Sequence, residues 1–261
     1  MTPIFLINLD RDTERLGLMD AQFARLGLAY ERFSAVRGDA LGAAARWFHL
    51  VDGVSPTLTR GEVGCYASHL GVMERLVESG APAALVCEDD CRLSERLPGL
   101  LAEVDGLPAG WDLVRLATLP VKQAVVRAAC IGGGALVKYS RIPVGAGAYL
   151  ISRRGAEKYL AWAAKAPLVH PYDEDFARPW ICGLSTYGFA PTPIRQNHLA
   201  VSSIGDRPWR PRNRHRLEPF ERAAHALADL GLLGWLAASA SNVRARLSRT
   251  HRRRITARVG A

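Results

Sequence analysis

The chain reads as an α/β protein with a mainly parallel central sheet and a helical, basic C-terminal extension. Three observations predict this. A strand–helix–strand pattern opens the sequence. A well-capped helix then leads into an apolar run that ends in the acids Glu88, Asp89 and Asp90. Arginines crowd into residues 207–261.

The elements follow in order. "PIFLINL" (3–9) is a short apolar run rich in β-formers, and Leu16, Met19, Phe23 and Leu26 then recur at helical spacing. "YERFSAV" (30–36) supplies a second strand, and such a β-α-β opening favours a parallel sheet. A Gly- and Pro-containing connection with a short helix at 41–50 precedes a capping box, Thr59 at the N-cap with Glu62 three residues on. That helix runs to about Ser79, where Gly80 and Pro82 stop it. "AALVC" (83–87) is a buried strand, and "WDLVRLA" (111–117) is another. Residues 120–142 read as a hairpin or loop with β segments, 144–152 as a strand, and 153–166 as a helix capped by Ser152. An acidic, Pro-bounded loop (169–180) leads into a short helix, 185–194 is a last strand, and a polar exit loop follows. The tail predicts two helices, 218–238 and 241–259. Two regions result: a main domain over 1–206 and a basic helical extension over 207–261.

Composition narrows the classes. With 49% hydrophobic and 23% charged residues, the 261-residue chain has ample material for one large core. No uninterrupted apolar stretch of 18 residues occurs, so no membrane span is expected. The first residues read as a strand rather than a signal peptide, and the expected compartment is the cytoplasm. Five cysteines, an odd number without a CxxC pair, fit that compartment. Cys87 and Cys91 lack zinc-spaced partners and, on an extended strand, stand too far apart for a disulfide, so they read as small buried hydrophobes. The net charge of +9 is uneven: 13 Arg against three acids give 207–261 a charge of +10, which leaves about −1 on the rest. A P-loop, a complete dinucleotide fingerprint and a GxSxG elbow are all absent.

The acid triplet is the first candidate for chemistry. In open α/β sheets ligands bind at the carboxyl ends of strands, where this triplet is predicted to lie. Mg²⁺ and Mn²⁺ take oxygen ligands, commonly one or two carboxylates plus substrate phosphates. A solvated turn or pairing with Arg92 and Arg96 is the plain alternative. On the capped helix, Cys65, His69, Val72 and Leu76 share one face. A histidine on such a face is more often a core residue than a ligand, and Glu62 is already explained as a cap.

Taken together, "IFLINLDRDTER", "FSAVRGDAL", "LTRGEVGCYASHLGVMERLVE", "ALVCEDDCRL", "WDLVRLA", "GAGAYLISRRGAEKYL" and "PYDEDF" resemble glycosyltransferase family 25 in order and spacing, over roughly residues 3–205. The resemblance implies a GT-A-like, Rossmann-related nucleotide-sugar-binding fold. It implies an inverting transferase that moves a hexose, usually galactose from UDP-galactose, onto a hydroxyl of a lipopolysaccharide, lipooligosaccharide or other glycan or glycolipid acceptor. By position, Asp89 and Asp90 look like the Mn²⁺ (or Mg²⁺) ligands, with Glu88 beside them. "NLDRDTER" looks like the donor-side turn, contributing Asn8, Asp10, Arg11 and Arg15. Glu62, Ser68 and His69 match the family motif as site-lining residues. Asp173 matches the acid expected to act as base, with Glu174 and Asp175 as alternates; Gln196 and Ser202–Ser203 match a terminal loop, and His198 there could be an extra metal ligand.

Residues 241–259, with seven arginines, read as a basic amphipathic helix able to lie on an anionic membrane surface, which would place the protein at the inner face of the cytoplasmic membrane. Nucleic-acid binding is disfavoured, because the tail lacks aromatic interleaving. A different class remains open: a non-catalytic nucleotide-sugar-fold protein that recruits partners or membrane through its arginines.

Overall fold

The computed structural model describes residues 2–117, 125–196 and 218–247; side chains at 125–129 and 241–247 lie outside that description. β1 (Ile4–Asn8), α1 (Thr13–Arg25) and β2 (Glu31–Ser34) form the expected β-α-β unit, with β1 and β2 parallel. α2 (Arg60–Ser79) leads to β3 (Ala83–Glu88), which lies parallel to β1 on its other side. Then come β4 (Cys91–Leu93), α3 (Leu97–Ala102), β5 (Leu113–Ala117), β6 (Val125–Ile131), β7 (Gly134–Tyr139), β8 (Ala148–Ser152) and α4 (Arg153–Ala163). α5 (Tyr172–Phe176), β9 (Thr186–Ala190), β10 (Ile194–Gln196) and α6 (Glu218–Leu247) complete the order.

Eight strands make the main sheet, in the order β2-β1-β3-β8-β5-β9-β7-β6. Six of them point the same way, and β7 and β8 run against the rest. The mainly parallel sheet is therefore present, with two reversed strands inside it. Strands alternate their side chains between two faces, and two cores result. Phe5, Ile7, Val86 and Tyr149 pack with α2, α4 and α5 on one face. Ile4, Leu6, Leu85 and Leu150 pack with α1 and α3 on the other. A sheet buried on both faces explains why β1, β3 and β8 read as continuous apolar runs.

Local chemistry sets the boundaries. Thr59 accepts from the Glu62 amide, and the Glu62 carboxylate accepts from the Thr59 amide at 2.8 Å, so both halves of the capping box are made. Gly80 ends α2 in the left-handed region at φ 71°. Ser152 caps α4 through the Gly155 amide at 3.0 Å. Gly132 and Gly133, both at positive φ, turn the β6–β7 hairpin in two residues. The fully buried Asp112 accepts from Arg154, Lys158 and the Ser185 amide, each at 2.8 Å, and so ties the entry of β5 to α4 and β9.

The structure departs from the sequence reading in four places. The single strand expected at 185–194 is two, β9 and β10, because Pro191 and Pro193 supply no amide to a ladder. β10 turns away to pair antiparallel with β4, a three-residue strand too short to leave a periodic signal. The break in the tail falls at Gly231 (φ 67°, ψ 168°) rather than near residue 239, and helix continues from there to Leu247. The segment Glu218–Ala240 is long and apolar enough to cross a membrane by length and composition alone, although scattered polar residues keep it from forming an unbroken apolar run. Residues 248–259 of the predicted basic helix, and most of the polar exit loop with His198 and Ser202–Ser203, lie outside the described residues.

Candidate functional site

The chain leaves β1 through α1 to reach β2 on one side, and returns through α2 to β3 on the other. α1 and α2 cover opposite faces. The carboxyl ends of β1 and β3 therefore form a topological switch point, where an open α/β sheet leaves a crevice. Asn8 ends β1 and Glu88 ends β3, so the first turn and the acid triplet meet there.

Asp89 is held from the β1–α1 side. Asn8, itself buried, donates its amide to Asp89 Oδ2 at 2.7 Å, and Arg15 donates to Asp89 Oδ1 at 2.8 Å. Burial raises the Asp89 carboxyl, while these two donors pull it back down. Asp90 is less well compensated. Gln196 Nε2 donates to both Asp90 Oδ2 and Glu88 Oε2, each at 3.1 Å. Asp90 Oδ1 is buried and has no hydrogen-bond partner among the described residues. Burial, reinforced by the neighbouring Glu88 charge, raises the Asp90 carboxyl to about 7. A buried acceptor with no donor is costly, and an oxygen-only cluster of this kind suits a hard divalent cation. The residues present thus fit the metal that the sequence reading assigns to Asp89 and Asp90.

Behind the acids lies a ring network. His69 Nε2 is 3.1 Å from Glu88 Oε1, and its Nδ1 is 2.9 Å from the Tyr149 hydroxyl. The imidazole stacks on Tyr172 at 4.0 Å and 6°. The Tyr172 hydroxyl donates to Tyr149. Tyr66 donates to Asp175 at 3.0 Å, and Arg178 forms an ion pair with the same carboxyl. Burial raises Asp175 to about 6 in spite of Arg178. Arg115 is fully buried, with donors to the carbonyls of Phe176 (3.3 Å) and Gly145.

The predicted residues thus separate. Asn8, Arg15, His69, Glu88, Asp89 and Asp90 converge. Asp10 sits at the rim, held by Arg32 and Ser34, which lower its carboxyl pKa. Arg11 is solvent-exposed and approaches Asp12. Ser68 is buried, accepting from the Val36 amide (2.8 Å) and donating to the Gly64 carbonyl (2.7 Å), and Glu62 serves the cap. Asp173 and Glu174 occupy the first turn of α5. Glu174 lines a cleft with Arg141, His170, Arg178, Trp180 and Arg222. Sequence reasoning missed Tyr149 and Arg115, because each stands inside an apolar strand and reads as core.

An open α/β sheet with carboxylates and a basic side chain at its switch point defines an α/β protein with a ligand crevice at the carboxyl ends of its strands. The family model for glycosyltransferase family 25 (LPS biosynthesis protein) matches residues 1–175, and the chain belongs to that family. It is 32% identical over 188 residues to a glycosyltransferase 25 family member of Anopheles gambiae, covering 67% of this chain and 31% of that protein. It is 32% identical over 171 residues to procollagen galactosyltransferase 1 of Danio rerio, covering 60% of this chain and 28% of that one. It is 28% identical over 233 residues to the inactive glycosyltransferase 25 family member 3 of Homo sapiens, covering 79% and 38%. The chain thus spans about a third of the length of these relatives. A solved glycosyltransferase involved in glycosylation of the PBCV-1 major capsid superposes with a TM-score of 0.46 at 9% identity, over 77% of this chain and 94% of that one.

Proposed function

We propose that this chain is a metal-dependent inverting hexosyltransferase that takes galactose from UDP-galactose and places it on a hydroxyl of a surface-glycan or glycolipid acceptor. The observation that carries the reading is the buried Asp90 Oδ1, without a hydrogen-bond partner among the described residues, in the Glu88–Asp89–Asp90 run at the switch point. Asp89 and Asp90, with Glu88, would hold Mn²⁺ or Mg²⁺. When bound, such a cation neutralises charge on the diphosphate of the leaving nucleotide. Arg15 and the N-terminus of α1 face the same crevice and favour an anionic donor. Asn8 fixes Asp89 so that the cluster is formed before donor arrives. As the acceptor oxygen attacks the anomeric carbon, the bond to the UDP oxygen breaks and the hydroxyl proton passes to a carboxylate. Asp173 is the first choice for that base and Glu174 the second. The arginines of 241–259 would hold the protein against an anionic membrane surface beside a lipid-linked acceptor.

The second reading, a nucleotide-sugar-fold protein without transfer activity, is favoured by the relatives named inactive. A panel of UDP-sugars, followed by thermal shift and by transfer to a glycan acceptor with and without Mn²⁺, separates the two. UDP-galactose with Mn²⁺ is expected to give the largest shift, and EDTA to stop transfer. Donor binding without transfer to any acceptor supports the second reading. The absence of a shift with every donor overturns the first reading and favours the second.

A further inference from the structure

We infer that Cys65, His69 and Glu88 form a second metal site, for a thiophilic divalent ion such as Zn²⁺, separate from the oxygen-only site at Asp89 and Asp90. Cys65 and His69 lie four residues apart on α2 and so share one helix face, which meets the last residue of β3. One ligand atom from each of the three residues lies within 4.8 Å of the others. The His69–Glu88 edge is already 3.1 Å. Zinc bonds of 2.0–2.3 Å in a tetrahedron place ligand atoms about 3.5 Å apart, so closure of the set needs movements of about 1 Å. Three protein ligands leave one position open, the pattern of zinc sites that also hold water or another molecule.

The surroundings are those of a ligating histidine. A metal-bound imidazole is oriented by a partner on its other nitrogen. Here Tyr149 holds Nδ1 at 2.9 Å, and Tyr172 stacks on the ring at 4.0 Å. His69 is therefore locked with Nε2 aimed at Glu88. His69 is buried, whereas Cys65 and Glu88 are partly exposed. Glu88 divides its two oxygens: Oε1 faces His69, and Oε2 faces Gln196 beside Asp90. The soft N, S and O set and the hard all-oxygen set thus meet back to back across one carboxylate. Thiolate and imidazole select zinc-like ions, and carboxylates alone suit Mg²⁺ or Mn²⁺. This assignment rests on the chain's own ligands and does not depend on the donor or acceptor proposed above.

Co²⁺ titration of the full chain tests it, with Zn²⁺ affinity measured by competition against a chromophoric chelator. The wild type is expected to bind Co²⁺ with a thiolate-to-cobalt charge-transfer band, and Zn²⁺ is expected to abolish that band. Loss of an outer partner alone costs ten- to a hundredfold in affinity, so Cys65→Ala should weaken Zn²⁺ by at least about tenfold and remove the band. Cys65→Ser, which keeps the side-chain volume, should do the same, and a normal thermal melt for either variant shows that folding is intact. Asp90→Asn should keep the band. The assignment is overturned if the wild type shows no thiolate band, if the band survives loss of Cys65, or if it vanishes in Asp90→Asn.

Discussion

Replacing Asp90 by asparagine should make the metal-free protein more stable while it removes cation binding. Asp90 carries a carboxyl raised from 3.8 to about 7 by burial and by Glu88. A raised acid contributes stability that is fully present below its unfolded pKa and is lost as pH rises through its folded pKa. Between about pH 4 and pH 7 the wild type therefore loses up to about 1.4 kcal/mol per pH unit from this one group, to a ceiling near 4 kcal/mol. The asparagine side chain does not titrate. Its oxygen still accepts from Gln196, and its amide can donate to Glu88. In urea unfolding with EDTA, the stability difference in favour of Asp90→Asn should be small at about pH 4 and reach about 2–4 kcal/mol at about pH 8. With Mn²⁺ and UDP added, the wild type should gain stability and the variant should not. A variant less stable than the wild type at pH 8 without metal, or one that keeps the Mn²⁺-dependent gain, would refute the view that Asp90 is an uncompensated carboxylate awaiting a cation.

Asp175, raised to about 6 by burial, obeys the same sign rule. Its contribution is lost as pH rises from about 4 to 6, by at most about 3 kcal/mol, and the slope of stability over that range should flatten in Asp175→Asn, as followed by chemical denaturation. Gly64→Ala would place a Cβ 2.6 Å from the Val36 carbonyl oxygen and 2.8 Å from the Gly38 amide nitrogen, both backbone atoms. α2 would have to move off the segment after β2, and a loss of about 1–3 kcal/mol should appear in the melt. Thr59→Ala removes the α2 cap, and a loss of about 1 kcal/mol in thermal unfolding is expected.

How much could be read in advance depended on how local each signal was. The α2 capping box, the Ser152 cap and the β-α-β opening are all encoded within a few residues, and each stands where the sequence placed it. The acid triplet was visible, but its environment was not. Asn8 lies 81 residues from Asp89, and Gln196 lies 106 from Asp90. His69 illustrates both sides: its helical spacing correctly reads as core, yet the same ring reaches Glu88 because β3 lies beneath α2. Ser68 shows the reverse. The motif match drew it toward the site, and the structure shows its hydroxyl spanning the Val36 amide and the Gly64 carbonyl. Tyr149 and Arg115 carry no signal in sequence, since a polar tip on an otherwise apolar strand acquires meaning only from its neighbours.

The pairing of β4 with β10 has a consequence for the order of assembly. Glu88 and Asp90 stand near one another as soon as β3 joins β1, because Glu88 ends that strand and Asp90 lies in the turn just after it. The amide that bridges the two acids belongs to Gln196 at the end of β10, so it arrives only after more than a hundred further residues have been placed. Closing so long a loop costs entropy that only the finished sheet recovers. The Glu88–Asp90 bridge thus waits on a distant strand, and a chain stopped before β10 would keep the Asn8 and Arg15 donors to Asp89 and the His69 contact with Glu88 but lack the amide that joins Glu88 to Asp90.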